Sequence, residues 1–184
     1  MNIDKGQIFA IPNILSYFRI ILMPIFCVIY LSANSEIDYL ISAGVVVISG
    51  LTDLFDGKIA RRFNAVTELG KFVDPVADKL TLVTIAFCLI ARVPAVIFLA
   101  GALLFKEVFM AIMATIHMRR NQKLSGALMV SKVCTTTLFL TFIILIVAPG
   151  LPLSFVRLLV TVESVLVLMT VWYYYKAFED LDKQ

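Results

Sequence analysis

The sequence has 184 residues, of which 61% are hydrophobic, and its mean hydropathy is +0.97. Only 16% of residues are charged and the formal net charge is +3, so neither a soluble globular domain nor a nucleic-acid-binding surface fits. What remains is an all-α, polytopic membrane protein: a single domain over 1–184 with six transmembrane helices, each needing roughly 20 apolar residues.

In chain order, residues 1–12 read as a short interfacial segment and not as a cleavable signal, because no cationic start runs into a short apolar core. Pro12-Asn13 marks a helix start, and span one follows over 14–31. Asn34, Glu36 and Asp38 form an acidic loop, and span two covers 39–59. After a polar turn over 61–69, span three covers 70–91, with Pro75 one turn in, where the helix either begins or kinks. Spans four, five and six cover 93–118, 124–148 and 153–175, the last preceded by a Pro149-Gly150-Leu151-Pro152 turn. The six-helix membrane core is thus 13–176, with 177–184 as a tail. Cys27, Cys88 and Cys134 lie singly in apolar runs and read as buried thiols that act as small hydrophobes.

Cationic residues in short loops set the orientation. Arg61, Arg62 and Lys71 follow span two, Arg119, Arg120 and Lys123 follow span four, and Lys176 and Lys183 lie in the tail. Both termini and the 52–79 stretch are therefore expected on the cytoplasmic side. Trp172 to Tyr175 beside Lys176 mark that interface.

The stretch from Thr52 to Lys79 holds Asp53, Asp56, Asp74 and Asp78 in a chain that is otherwise mostly apolar. Ionisable groups are costly in such surroundings and mark functional sites by default. Asp53 and Asp56 (i, i+3) share one helix face, as do Asp74 and Asp78 (i, i+4). A short turn makes spans two and three antiparallel neighbours, so both pairs meet at one membrane surface. Four converging carboxylates stay ionised only beside cations. An all-oxygen set without nearby His or Cys suits two Mg²⁺ or Mn²⁺ ions, which could clamp an attacking and a leaving oxygen. Gly57 and Gly70 leave room for a substrate, Ala60 is small, and Arg61 suits a phosphate.

Asp53-Leu-Phe-Asp56-Gly57-Lys-Ile-Ala60-Arg61, then eight residues, Gly70, three residues, Asp74, three residues, Asp78 resembles the signature of the CDP-alcohol phosphatidyltransferases. The six-span plan and the start Pro12-Asn13-Ile-Leu-Ser-Tyr-Phe-Arg19 are similar to that family too, in the branch of phosphatidylglycerophosphate synthases and cardiolipin synthases. The resemblance implies that Asp53, Asp56 and Asp74 hold two divalent ions, and that Asp78 touches the second ion and is the general base. It also implies that Gly57, Arg61 and Thr67 contact the CDP group of CDP-diacylglycerol, with Ala60 and Gly70 giving it room and Asn13 and Arg19 on the nucleotide side. A homodimer is implied as well.

A phosphate-bearing acceptor calls for cations. Lys106 in span four, Lys132 in span five, and Arg119 and Arg120 between them are the candidates, with Glu107 balancing Lys106. The phosphatidylglycerophosphate synthases carry Arg-Glu where this chain has Lys106-Glu107, and a later arginine where it has Ala114. Lys106-Glu107-Val108 and Ser131-Lys132-Val133 resemble the cardiolipin synthases as much. The acceptor expected is glycerol 3-phosphate, with phosphatidylglycerol as the alternative. A membrane prenyltransferase would have its two acidic motifs far apart, and a divalent-cation carrier would spread its acids through the membrane depth.

Overall fold

The structure, a computed structural model, describes residues 10–62, 69–118 and 127–182. Among these, six helices and no strand occur: α1 (Ile11–Ser32), α2 (Glu36–Arg62), α3 (Gly70–Arg92), α4 (Val96–Met118), α5 (Ala127–Val147) and α6 (Leu153–Asp182). All except α3 contain a stretch long and apolar enough to cross a membrane, which makes the chain an integral multi-pass membrane protein. At 23 residues α3 has the length, about 34 Å at 1.5 Å per residue. Its charges (Lys71, Asp74, Asp78, Lys79 and Arg92) set it apart from the other five.

Every expected span has its helix, and the boundaries show where local chemistry overrides hydropathy. Glu36 and Asp38, read as loop residues, form the first turn of α2, where acidic side chains suit the positive helix end. Asp38 Oδ2 accepts bonds from the backbone N–H groups of Asn34 and Ser35 at 3.0 and 2.9 Å. Pro75 does not start α3, which begins at Gly70 and runs through it. Residues 177–182, expected as the start of a tail, continue α6 as helix. Phe178 is buried with Tyr174, and Phe109, Met110, Met113 and Ala177 pack around the pair. The 1–9 part of the interfacial segment lies outside the described residues.

The helices fall into two compact units, described in turn. In the first, which holds α1 to α3 and residues 146–149, α1 packs against both α2 and α3. The first span thus lies against each of the two acid-bearing helices, an arrangement the sequence does not indicate. Met23, Phe26 and Tyr30 of α1, Val46 of α2 and Ile85, Cys88 and Leu89 of α3 are fully buried. Arg92 ends α3 and fastens the far end of this unit. Its Nη1 donates to the Tyr39 hydroxyl, and its Nη2 donates to the carbonyls of Leu31 and Ala33 at 3.1 and 2.8 Å. The guanidinium also lies over the Tyr30 and Tyr39 rings, 5.6 and 5.3 Å from their centroids. A cation on the last carbonyls of α1 is the favoured partner of a helix C-terminus.

In the second unit, built from α4, most of α5 and α6, α4 packs against α6. Leu99, Leu138, Phe142 and Val167 are fully buried there. Glu163 of α6 is buried as well, and Thr141 Oγ1 donates to its Oε1 at 3.1 Å. Outward positions such as Val28, Phe87 and Phe98 are exposed and apolar, as a lipid-facing surface requires.

Candidate active site

A stripe of polar side chains on α1 organises the first unit. Asn13, Ser16 and Arg19 recur every three residues, share a face and are buried. In an apolar run such groups persist only when their hydrogen bonds are satisfied. Ser16 Oγ donates to Asp74 Oδ1 on α3. Arg19 Nη1 donates to Asp53 Oδ1 on α2 at 2.5 Å and to Asp78 Oδ1 on α3. One guanidinium thus joins the first aspartate of the α2 pair to the second of the α3 pair.

The pairings Ser16–Asp74 and Arg19–Asp78 climb α1 and α3 in the same direction, one turn each, so these two helices run parallel. The Arg19 side chain is 2% exposed, whereas those of Asp53 and Asp78 are 45% and 50% exposed. Arg19 is therefore a buried floor from which two carboxylates open outward. Two unit negative charges about 4 Å apart repel by about 4 kcal/mol at an effective dielectric of about 20, and a guanidinium bonded to both carboxylates offsets such repulsion.

The site residues expected from the sequence divide as follows. Asp53, Asp74 and Asp78 are gathered around the α1 stripe. Asn13 is fully buried on the same stripe, and Gly70 is buried at the start of α3. Asp56, Gly57, Ala60 and Arg61 lie in the last two turns of α2, with side chains outside the described residues. Thr67, Arg119 and Arg120 lie outside the described residues altogether. In the second unit, Lys106 is buried and its Nζ stands 3.3 Å from Glu107 Oε1, the balancing pair the sequence suggests, while Lys132 is exposed on α5. Among the described residues no three acidic, His or Cys side chains form a ready metal cage.

Sequence reasoning missed Ser16 and did not foresee that Arg19 bonds two of the aspartates. The signal for both was present: three polar residues at helical spacing in an apolar run, on a helix flanked by two acid-bearing ones. Glu163 was missed too, although a membrane glutamate is unusual enough to single out.

Comparison with known proteins bears on this geometry. The family model described as CDP-alcohol phosphatidyltransferase matches residues 9–174. The chain belongs to the CDP-alcohol phosphatidyltransferase family. Similar curated proteins include a CDP-diacylglycerol–glycerol-3-phosphate 3-phosphatidyltransferase of Salmonella paratyphi A, 44% identical over 84 residues, which are 46% of this chain and 45% of that protein. One of the same description from Rickettsia prowazekii is 36% identical over 92 residues, 50% of this chain and 48% of that protein. A cardiolipin synthase (CMP-forming) of Streptomyces coelicolor is 30% identical over 153 residues, 81% of this chain and 70% of that protein. The chain thus spans about half the length of the glycerol-3-phosphate enzymes it matches.

Proposed function

We propose that the protein catalyses a step of phospholipid synthesis, moving the phosphatidyl group of CDP-diacylglycerol onto the hydroxyl of sn-glycerol 3-phosphate and releasing CMP. The observation that carries this reading is the joining of Asp53 and Asp78, from the two halves of the family signature, on the Nη1 of Arg19. The curated relatives support the substrate pair, two of them by the words of their names.

The site would work as follows. Arg19 holds Asp53 and Asp78 close together, and Ser16 holds Asp74 in register one turn away. The donor set of half-exposed carboxylate oxygens fits hard divalent cations, with Asp53, Asp56, Asp74 and Asp78 as the ligands and Asp56 completing what the described three begin. When bound, two Mg²⁺ or Mn²⁺ ions supply charge neutralisation for the diphosphate and the departing CMP. Asp78, the more exposed of the Arg19-bound pair, takes the proton of the acceptor hydroxyl. The freed oxygen bonds to the lipid-side phosphorus, and the bond from that phosphorus to CMP breaks. Gly57, Ala60, Arg61, Thr67 and Gly70 hold the CDP group beside the signature, with Asn13 on the α1 stripe. Lys106, Lys132, Arg119 and Arg120 take the acceptor phosphate. The reading also includes cytoplasmic termini and a cytoplasmic active site, supported by the loop cations, and a homodimer, in keeping with the family.

A second acceptor has one specific support: the cardiolipin synthase match extends over 81% of this chain, across α4 and α5 as well as the signature. The deciding experiment incubates purified protein and labelled CDP-diacylglycerol with Mg²⁺ and either glycerol 3-phosphate or phosphatidylglycerol. Phosphatidylglycerophosphate is the expected product. Cardiolipin alone would move the assignment to the second acceptor, and no CMP from either would reject the reading.

A further inference from the structure

The α1–α3 packing that aligns Ser16 with Asp74 and Arg19 with Asp78 has a third polar meeting point, two turns farther along. Cys27 of α1 and Cys88 of α3 are 61 residues apart in sequence, and their Sγ atoms stand 3.2 Å apart. Sequence spacing left these thiols unrelated; the parallel register brings them together. Both are free thiols. They differ in access: Cys27 is half-buried, whereas Cys88 has 0% exposure.

We propose that Cys27 and Cys88 are an oxidisable dithiol whose disulfide clamps α1 to α3. The sulfurs already stand on facing helices and need close only from 3.2 Å to a bond of about 2 Å. Hydrogen peroxide, a small uncharged oxidant that enters membranes, supplies the two-electron chemistry. The sulfur of Cys27, the less buried of the two residues, attacks one peroxide oxygen, giving a sulfenic acid and one water. The adjacent Cys88 sulfur then attacks the Cys27 sulfur and forms the S–S bond. The sulfenic oxygen leaves as a second water with the remaining thiol proton, so two thiols and one peroxide become one disulfide and two waters. The reaction is independent of phosphatidyl transfer. It ties the far halves of the two helices whose near halves hold the acidic site.

The test treats membranes containing the full-length protein with hydrogen peroxide, blocks residual thiols with N-ethylmaleimide, and maps the peptides by mass spectrometry. The expected product is an intramolecular Cys27–Cys88 disulfide, reversed by dithiothreitol, with Cys134 still alkylated. The oxidised protein should melt about 5–10 °C higher than the reduced one, as closing a long loop predicts, and Cys134→Ser should behave the same way. Cys88→Ser should stop at a dimedone-reactive sulfenic acid on Cys27, while Cys27→Ser should leave Cys88 unmodified. Separate alkylation of Cys27 and Cys88 after peroxide would overturn the proposal, as would disulfides to Cys134 or to a second copy. Because the wild-type map alone decides the pairing, a variant that fails to fold does not shelter it.

Discussion

Arg19→Met is the most informative perturbation of the site, because it removes a cation buried between two carboxylates and keeps the apolar stem. Arg19 is 2% exposed, and its Nη1 bonds Asp53 at 2.5 Å and Asp78 as well. Two unit negative charges about 4 Å apart repel by roughly 4 kcal/mol at an effective dielectric of about 20. Asp53 and Asp78 are 45% and 50% exposed, so screening removes about half and leaves about 2 kcal/mol. At about 1.4 kcal/mol per decade, CMP release should fall roughly 30-fold at fixed Mg²⁺. The substrate-free protein should also melt several degrees lower, and Mg²⁺ should restore more of that loss in the variant than it adds to the wild type. Arg19→Lys, which keeps the charge on a shorter stem with a compact ammonium, should fall between the two. The assay pairs CMP release with melting curves taken with and without Mg²⁺ in the absence of substrate. If Arg19→Met melted like the wild type and its Mg²⁺ response were unchanged, Arg19 would not be the floor of the acidic site. A kinetic loss alone would then return it to the nucleotide-contact role implied by family resemblance.

Asp78→Asn should lower transfer by about 10²–10⁴-fold while divalent-ion binding, measured by calorimetry, largely persists, and appreciable residual turnover would reject Asp78 as the base. Protein stripped with EDTA should release no CMP until Mg²⁺ or Mn²⁺ is returned, and activity in the stripped state would reject the carboxylates as metal ligands. Lys132→Ala should raise the KM for the acceptor and leave that for CDP-diacylglycerol unchanged; the reverse pattern would remove Lys132 from the acceptor pocket. Arg92→Met should lower stability by about 1–3 kcal/mol through loss of the cap on the last α1 carbonyls, with KM values unaltered. A changed KM would show that this end of the unit reaches the site.

The membrane class, the six helices and the acidic signature were legible in the sequence, because each rests on local information. Hydrophobic run length decides a helix in lipid, and the i, i+3 and i, i+4 spacings of Asp53, Asp56, Asp74 and Asp78 fix which of them share a face. Three-dimensional packing decided the rest. Hydropathy ended span six at Tyr175, but the burial of Phe178 among α4 side chains carries α6 on to Asp182. Neighbour order in sequence suggested that the two acid-bearing helices pair; packing adds that α1 lies against both and that its buried Arg19 joins them. Likewise Cys27 and Cys88 are unrelated residues until the parallel register of α1 and α3 sets them side by side. Local pattern states what a helix must bury, and only the packed bundle states against which partner it is buried, because a guanidinium, a hydroxyl or a thiol is satisfied across a gap that sequence separation does not measure.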